Sequence, residues 1–134
     1  MISLSLSTHD RVTLLEVTPL VEKALAASGL TEGAVLVYCP HTTAGVTVNE
    51  NADPTVRRDI AMALERLVPI DLPFAHLEGN SDAHAKAAVV GSSVTVPVEG
   101  GRLALGTWQG IYFAEFDGPR RRRLLVQPLA GPRS

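Results

Sequence analysis

The sequence predicts an α+β protein: a single domain over residues 1-134, with mainly antiparallel, sandwich-like β-sheet and about three helices. A chain of 134 residues is long enough to bury one core. About eight short apolar or alternating segments are separated by turn residues, and three segments carry capping residues and apolar residues at helical spacing. Short strands separated by turns favour antiparallel sheets with helices packed against them.

The first strands are predicted to pair with each other. Ile2, Leu4 and Leu6 alternate with serines, and a second apolar segment over residues 12–17 follows a polar turn. This pattern predicts an antiparallel hairpin.

The second helix has the clearest signals in the chain. Asp53 and Pro54 provide an N-cap followed by proline at the first helical position. An apolar stripe at helical spacing predicts one buried face. The stripe consists of Val56, Ile60, Leu64 and Leu67.

The remaining elements follow from capping residues and turns. We predict a first helix from Thr18 to Gly29, strands over 34–39 and 45–48, a third helix from Asn80 or Ser81 to Gly91, strands over 94–98, 102–105, 110–116 and 121–127, and a loose end over 131–134.

Composition excludes several classes of function. The formal net charge is only -2, which gives no bulk attraction to nucleic acid. The single cysteine, Cys39, cannot form an internal disulfide, so we expect a cytoplasmic protein and interpret Cys39 as a small buried hydrophobe. Apolar segments are shorter than the ~18 residues that a membrane span requires, so we expect no membrane partner.

Four consecutive arginines, Arg120 to Arg123, are the one feature that suggests nucleic acid. In a strand, however, successive side chains point to opposite faces, which halves the charge on each face. A charge-protected edge strand or an ion-pair surface between subunits is the better interpretation, and we expect no nucleic-acid partner.

Side chains capable of chemistry are concentrated between residues 40 and 84, which include three of the four histidines. Each has a structural alternative: Asp53 and Asn80 can cap helices, and a lone histidine after a strand is often structural. Imidazoles and carboxylates together also match the ligands of a catalytic divalent metal such as zinc or magnesium. The candidates are His41, Asn49, Glu50, Asp53, His76, Glu78, Asn80, Asp82 and His84.

A second dense feature surrounds the only tryptophan. Thr107, Trp108 and Gln109 lie between two glycines, which allow the backbone to approach a ligand. Trp108 could stack on an aromatic ring, and Gln109 could donate or accept a hydrogen bond. A core tryptophan at a strand bend is the structural alternative.

Several of these segments resemble the signature blocks of one family. The blocks are His41-Thr-Thr-Ala-Gly45, Asn49-Glu-Asn-Ala-Asp-Pro54, Gly79-Asn-Ser-Asp-Ala-His84, Leu105-Gly-Thr-Trp-Gln-Gly-Ile-Tyr112 and Phe116-Asp-Gly-Pro-Arg120. In this order, they are similar to the YjbQ-type family. The resemblance extends over nearly the whole chain.

The resemblance implies a β-rich α+β fold, a homotrimer with polar pockets near its subunit interfaces, and a secondary thiamine-phosphate synthase activity on small phosphorylated substrates. It implies catalytic roles for His41, Asn49, Glu50, Asp53, Glu78, Trp108 and Gln109. We further assign Asn80, Ser81 and Thr107 to cofactor binding, and His41, His76, His84 and Asp82 to a divalent metal.

Three functions remain open on the sequence. In a synthase, the protein would position two rings and stabilise a departing diphosphate. A metal-dependent phosphate-ester hydrolase would use the same residues to activate water. A non-catalytic module would only bind a small phosphorylated ligand.

Overall fold

The computed structural model describes residues 1–132 and confirms a single α+β domain with three helices and antiparallel sheets. The strands are β1 Ile2–Ser7, β2 Thr13–Glu16, β3 Gly33–Tyr38, β4 Ala44–Glu50, β5 Ser93–Glu99, β6 Arg102–Leu103, β7 Gln109–Glu115 and β8 Arg121–Ala130. The helices are α1 Thr18–Ser28, α2 Pro54–Leu67 and α3 Ser81–Val90.

The first two strands belong to different sheets, so the predicted opening hairpin is wrong. β1 pairs with β8 in a five-stranded sheet of order β1-β8-β3-β5-β6. β2 pairs with β7 in a three-stranded sheet of order β2-β7-β4. The alternation of Ile2, Leu4 and Leu6 identified a strand correctly, but alternation alone does not specify the partner.

The arginine-rich strand is also not an edge strand. β8 lies between β1 and β3, and pairs antiparallel with both. Arg122 is buried, whereas Arg121 and Arg123 are exposed, as the alternation of a strand requires. The edge-strand interpretation of this segment is therefore wrong.

β7 is the central strand of the protein and is buried on both faces. Ile111 and Phe113 join the core between the two sheets. Tyr112, Ala114 and Phe116 join a second core under α2 and α3. The protein is therefore layered in the order five-stranded sheet, three-stranded sheet, and helices α2 and α3, whereas α1 contributes Val21, Ala24 and Leu25 to the core between the sheets.

The three predicted helices form, but only α2 has a side-chain N-cap, and its burial is less than we expected. The Asp53 side chain accepts a hydrogen bond from the Thr55 backbone N–H at 2.9 Å, so Asp53 caps α2. Ile60 and Leu64 are half-buried against the second core, whereas Leu67 is 65% exposed. The prediction that Leu67 lies on a buried face is wrong for this chain by itself.

α3 approaches β4 closely at Gly45. A Cβ at this position would lie 2.4 Å from the Gly91 carbonyl oxygen, so only glycine fits there. The Val46 backbone N–H donates to the same Gly91 carbonyl at 3.1 Å. The end of α3 is thereby fixed against the start of β4.

Two expectations concern the surface and the chain end. Among residues 1–132, none of the helices is long and apolar enough to cross a membrane. The Gly131 backbone N–H donates to the Glu32 carbonyl at 2.9 Å, so this residue is held and not loose. Residues 133 and 134, for which we also predicted a loose end, lie outside the described residues.

Candidate functional site

A polar cavity of about 380 Å³ lies where β4 begins and β7 ends. Its walls come from the segment after β3, the start of α3 and the turn between β7 and β8. Four of the predicted site residues meet there: His41 comes from the segment after β3, and Glu78, Asn80 and His84 come from the loop before α3 and its start. The lining residues are Pro40, His41, Thr42, Thr43, Glu78, Asn80, His84, Asp117, Arg120 and Arg122.

His41 is held by the backbone of β8. Its Nε2 accepts a hydrogen bond from the Arg123 backbone N–H at 2.9 Å. Burial lowers the pKa of His41, and the positive charge of Arg122 lowers it further. Both effects favour the neutral imidazole, and because Nε2 accepts a hydrogen bond, the ring proton of the neutral form is on Nδ1.

His84 comes from the second turn of α3, and His76 comes from the preceding loop. Their rings meet edge to face with centroids 5.8 Å apart. His76 Nε2 lies 3.5 Å from a Glu78 carboxylate oxygen. The loop therefore folds back, as the convergence of these two histidines requires.

Asn80, Asp117 and Arg120 form one hydrogen-bonded group that also lines the cavity. Asp117 Oδ2 accepts from Asn80 Nδ2 at 2.9 Å and from Arg120 Nη2 at 3.1 Å. This fixes the orientation of the Asn80 amide, because the reverse orientation would place two oxygens together. Asn80 Oδ1 is buried without a hydrogen-bond partner among the described residues.

Arg122 forms the floor of the cavity through a buried polar network. Its guanidinium donates to both carboxylate oxygens of Glu115 and, at 2.8 Å, to the Thr43 hydroxyl. Thr8 donates to the same carboxylate at 2.7 Å. Burial favours the neutral form of Glu115, but the hydrogen bonds outweigh burial and lower the pKa of this carboxyl.

Asp82 does not lie in this cavity, which corrects its predicted role as a metal ligand. It is fully buried, and its oxygens accept from Arg11 Nη2 at 2.9 and 3.0 Å and from Lys86 Nζ at 2.8 Å. The two cations occupy the lone pairs that a metal would need. The function of Asp82 is to anchor the first turn of α3 to the loop before β2.

The predicted meeting of three histidines and a carboxylate is therefore only partly formed. His41, Glu78 and His84 share the cavity, and His76 contacts His84 and Glu78. Within residues 1–132, no group of three or more His, Cys, Asp or Glu side chains is arranged to hold a metal ion. Divalent metal binding stays a prediction, and no catalytic step is derived from it.

Ser81 begins α3, next to Asn80, whereas six other predicted site residues lie at the far end of the three-stranded sheet. Ala44 pairs with Glu115 near the cavity, whereas Glu50 pairs with Gln109 six residues further along. At ~3.4 Å per residue, the two ends are about 20 Å apart. One chain therefore does not bring the two groups into a single pocket. The distant group consists of Asn49, Glu50, Asp53, Thr107, Trp108 and Gln109.

Trp108 is at the surface of this distant end. Its side chain is 64% exposed, so the alternative of a core tryptophan is wrong. The turn that carries it is fixed by two hydrogen bonds: the Asn51 backbone N–H donates to the Trp108 carbonyl at 2.8 Å, and Gln109 Oε1 accepts from the Gly106 backbone N–H at 2.8 Å.

Cys39 is buried, as predicted, and burial raises the pKa of its thiol.

Sequence reasoning missed Asp117, Arg120 and Arg122 as residues of the cavity. Asp117 and Arg120 are separated from His84 by more than 30 residues, and the pairing of β8 that brings them near was not predictable from local pattern. A signal did exist, because Asp117, Gly118 and Pro119 form a turn flanked by charged side chains.

Comparison with known proteins agrees with this fold. The family model described as "UPF0047 protein YjbQ-like" matches residues 2–131. The chain belongs to this family. One relative is the UPF0047 protein MJ1081 of Methanocaldococcus jannaschii, which is 51% identical over 122 residues, or 91% of this chain and 88% of the relative. The UPF0047 protein YugU of Bacillus subtilis is 49% identical over 126 residues, or 93% of this chain and 96% of the relative.

Solved structures in the family share the architecture. A crystal structure of a YjbQ/UPF0047 family protein from Clostridium acetobutylicum has a TM-score of 0.93 at 51% identity, covering 95% of this chain and 98% of that one. The protein APE1520 from Aeropyrum pernix K1 has a TM-score of 0.92 at 41% identity, covering 96% and 97%. The names of these relatives state no activity, so the function has to be argued from the site.

Proposed function

We propose that this protein is a secondary thiamine-phosphate synthase whose phosphorylated substrate binds in the cavity around His41 and His84. The observation that supports the proposal is the set of hydrogen-bond donors around one polar cavity. These are the two imidazoles, the Thr42 hydroxyl and the Arg120 guanidinium, and Asn80, the N-cap residue of α3, also lines the cavity. Arginine and a helix N-terminus both favour phosphate oxygens.

The reaction requires little covalent chemistry from the protein. The thiazole nitrogen attacks the methylene carbon of the aminopyrimidine-methyl diphosphate, a C–N bond forms, and the C–O bond to diphosphate breaks. The products are thiamine phosphate and diphosphate. Catalysis then consists of holding the two rings in position and stabilising charge on the departing diphosphate.

The cavity residues have distinct roles in this proposal. Arg120 donates to the departing diphosphate, and His84 donates a hydrogen bond or a proton to it. Glu78, whose side chain is exposed beside His76, faces the positive charge that develops on the methylene. Neutral His41 contributes a donor at Nδ1 while its Nε2 stays bonded to the backbone of β8.

Formation of thiamine phosphate by the purified protein is the direct test. Both substrates are supplied, and the product is measured for wild type, His84→Ala and the control His9→Ala, since His9 is exposed and outside the cavity. We expect His84→Ala to lose turnover on the order of 100-fold without a change in melting temperature. Equal turnover in His84→Ala and His9→Ala would remove His84 from the mechanism.

The same preparation distinguishes the two other functions. If the protein steadily releases inorganic phosphate from simple phosphate esters and forms no thiamine phosphate, it is a hydrolase and not a synthase. If the protein binds the substrates tightly and forms no product, it is a non-catalytic binding module.

A further inference from the structure

The polar cavity continues into a second cavity of about 310 Å³. The two share His41, Thr42 and His84, which stand at the junction between them. The residues that belong to the second cavity alone have small side chains or none. They are Ala44, Ala87, Ala88, Gly91 and Ser92, and we call this space the alanine cavity.

The back wall of the alanine cavity is fixed by backbone hydrogen bonds. The Cys39 backbone N–H donates to the Ser92 carbonyl at 2.7 Å, and the Val46 backbone N–H donates to the Gly91 carbonyl at 3.1 Å. Ala44 and Ala87 are themselves buried in the two cores. These hydrogen bonds and the burial of both alanines hold the backbone of this wall in place.

The open side is formed by one face of α3. His84, Ala87, Ala88 and Gly91 recur at spacings of three and four residues, so they lie on the same side of the helix. Ala88 is exposed, in contrast to Ala87. A larger side chain at Ala88 would therefore occupy the alanine cavity without disturbing either core.

The two cavities differ in chemistry. The polar cavity is lined by four charged side chains, namely Glu78, Asp117, Arg120 and Arg122. The alanine cavity exposes methyl groups, a glycine and a serine beyond the shared residues. Binding sites for small molecules commonly combine apolar walls with a few polar groups that fix the orientation of the ligand.

We propose that the ligand is a phosphate ester whose flat apolar body lies in the alanine cavity while its phosphate occupies the polar cavity, and that Ala88 limits the size of that body. This inference rests on the proposed function for the phosphate position. His41 and His84 then flank the bond that joins the phosphate group to the body. Small side chains on the walls of the cavity suit a flat ring, because alanine methyl groups and a glycine allow the ring to lie close to the backbone.

Binding of three probes tests the inference without turnover. Inorganic phosphate, phenyl phosphate and 1-naphthyl phosphate are titrated calorimetrically into wild type, Ala88→Leu and Ala26→Leu. Ala26 is an exposed alanine of α1, so Ala26→Leu is the same change on a helix surface away from the site. We expect wild type to bind phenyl phosphate at least about tenfold more tightly than inorganic phosphate, because the ring leaves water.

Ala88→Leu should lose at least about tenfold in affinity for the two aryl phosphates and stay within about twofold of wild type for inorganic phosphate. Ala26→Leu should match wild type for all three probes. Equal affinity of wild type for phosphate and phenyl phosphate, or equal behaviour of the two leucine variants, would overturn the inference while leaving the synthase proposal in place. Absence of binding of all three probes to wild type would also overturn it, and the assay of thiamine phosphate would then decide separately on the proposed function.

Discussion

Glu115 and Arg122 form a buried ion pair that joins the two sheets. Glu115 is fully buried on β7, and Arg122 is 3% exposed on β8. Arg122 Nε donates to Glu115 Oε1 at 2.9 Å, and Nη2 donates to Oε2. The backbone N–H groups of Phe116 and Asp117 donate to the same carboxylate at 3.1 Å. One carboxylate therefore orders both the sheet interface and the turn that carries Asp117 into the site.

Replacing Arg122 with methionine should destabilise the protein by about 3–5 kcal/mol, because it leaves Glu115 charged and unpaired in the interior. The free energy of unfolding is measured by urea denaturation at pH 7. Arg121→Met is the matched control, since Arg121 precedes Arg122 on the same strand and is exposed. Similar unfolding free energies for the two variants would show that the pair contributes little.

Asp82 should make stability depend on pH in the acid range. Burial acts to raise the pKa of Asp82, but hydrogen bonds from Arg11 and Lys86 outweigh it, so the pKa lies below the ordinary value. The unfolded chain then binds a proton at higher pH than the folded protein does. The stabilisation is present above the unfolded pKa of ~3.9 and is lost as pH falls through the lower folded value.

Asp82→Asn should therefore have a lower unfolding free energy than wild type at pH 7, and this difference should shrink as pH falls below ~4. Urea midpoints at a series of pH values give the measurement, with the exposed Asp59→Asn as control. A difference between Asp82→Asn and wild type that stays constant from pH 7 to pH 2 would contradict the assignment.

His41 should titrate below the usual imidazole value of ~6.5. Burial disfavours the charged ring, and Arg122 adds positive charge nearby, so both causes lower the pKa. The measurement is the pH dependence of the His41 ring signals by NMR in the wild-type protein. A midpoint at or above ~6.5 would show that the ring is more solvated, or closer to a carboxylate, than the structure indicates.

Assembly as a homotrimer stays a prediction from the family resemblance. Apolar side chains after α2 are exposed in the single chain, including Ile70 at 55% and Leu77 at 99%. Burial of such residues between subunits would stabilise an oligomer. Sedimentation equilibrium should give three times the mass of 14.2 kDa at micromolar concentration, and a stable monomer would exclude the prediction.

The sequence predicted those parts of the fold that depend on neighbouring residues. The ends of α2 and α3 follow from Asp53, Pro54 and Gly91, whose capping signals act within one turn of helix. Strand pairing is not local, because Ile2 pairs with Val126 at the other end of the chain. The opening hairpin was wrong for this reason.

The same distinction explains the site predictions. His41, Glu78, Asn80 and His84 were named from their chemistry, and the fold brings them to one cavity. Asp82 has the same chemistry, but its carboxylate lies outside the cavity and accepts a hydrogen bond from Arg11, which is 71 residues away in the sequence. The separation of Trp108 from His41 depends on the length and register of β4 and β7, which residue types do not specify.

The close approach of Gly45 to the Gly91 carbonyl bears on how this protein could be redesigned. Any side chain at Gly45 would push α3 away from β4. A substitution at this position would therefore change the cavity only by disturbing the packing of α3. The exposed face of α3 can be substituted without this disturbance, because Ala88 belongs to neither core. A library confined to that face could therefore change which ligands the protein accepts while the scaffold stays intact.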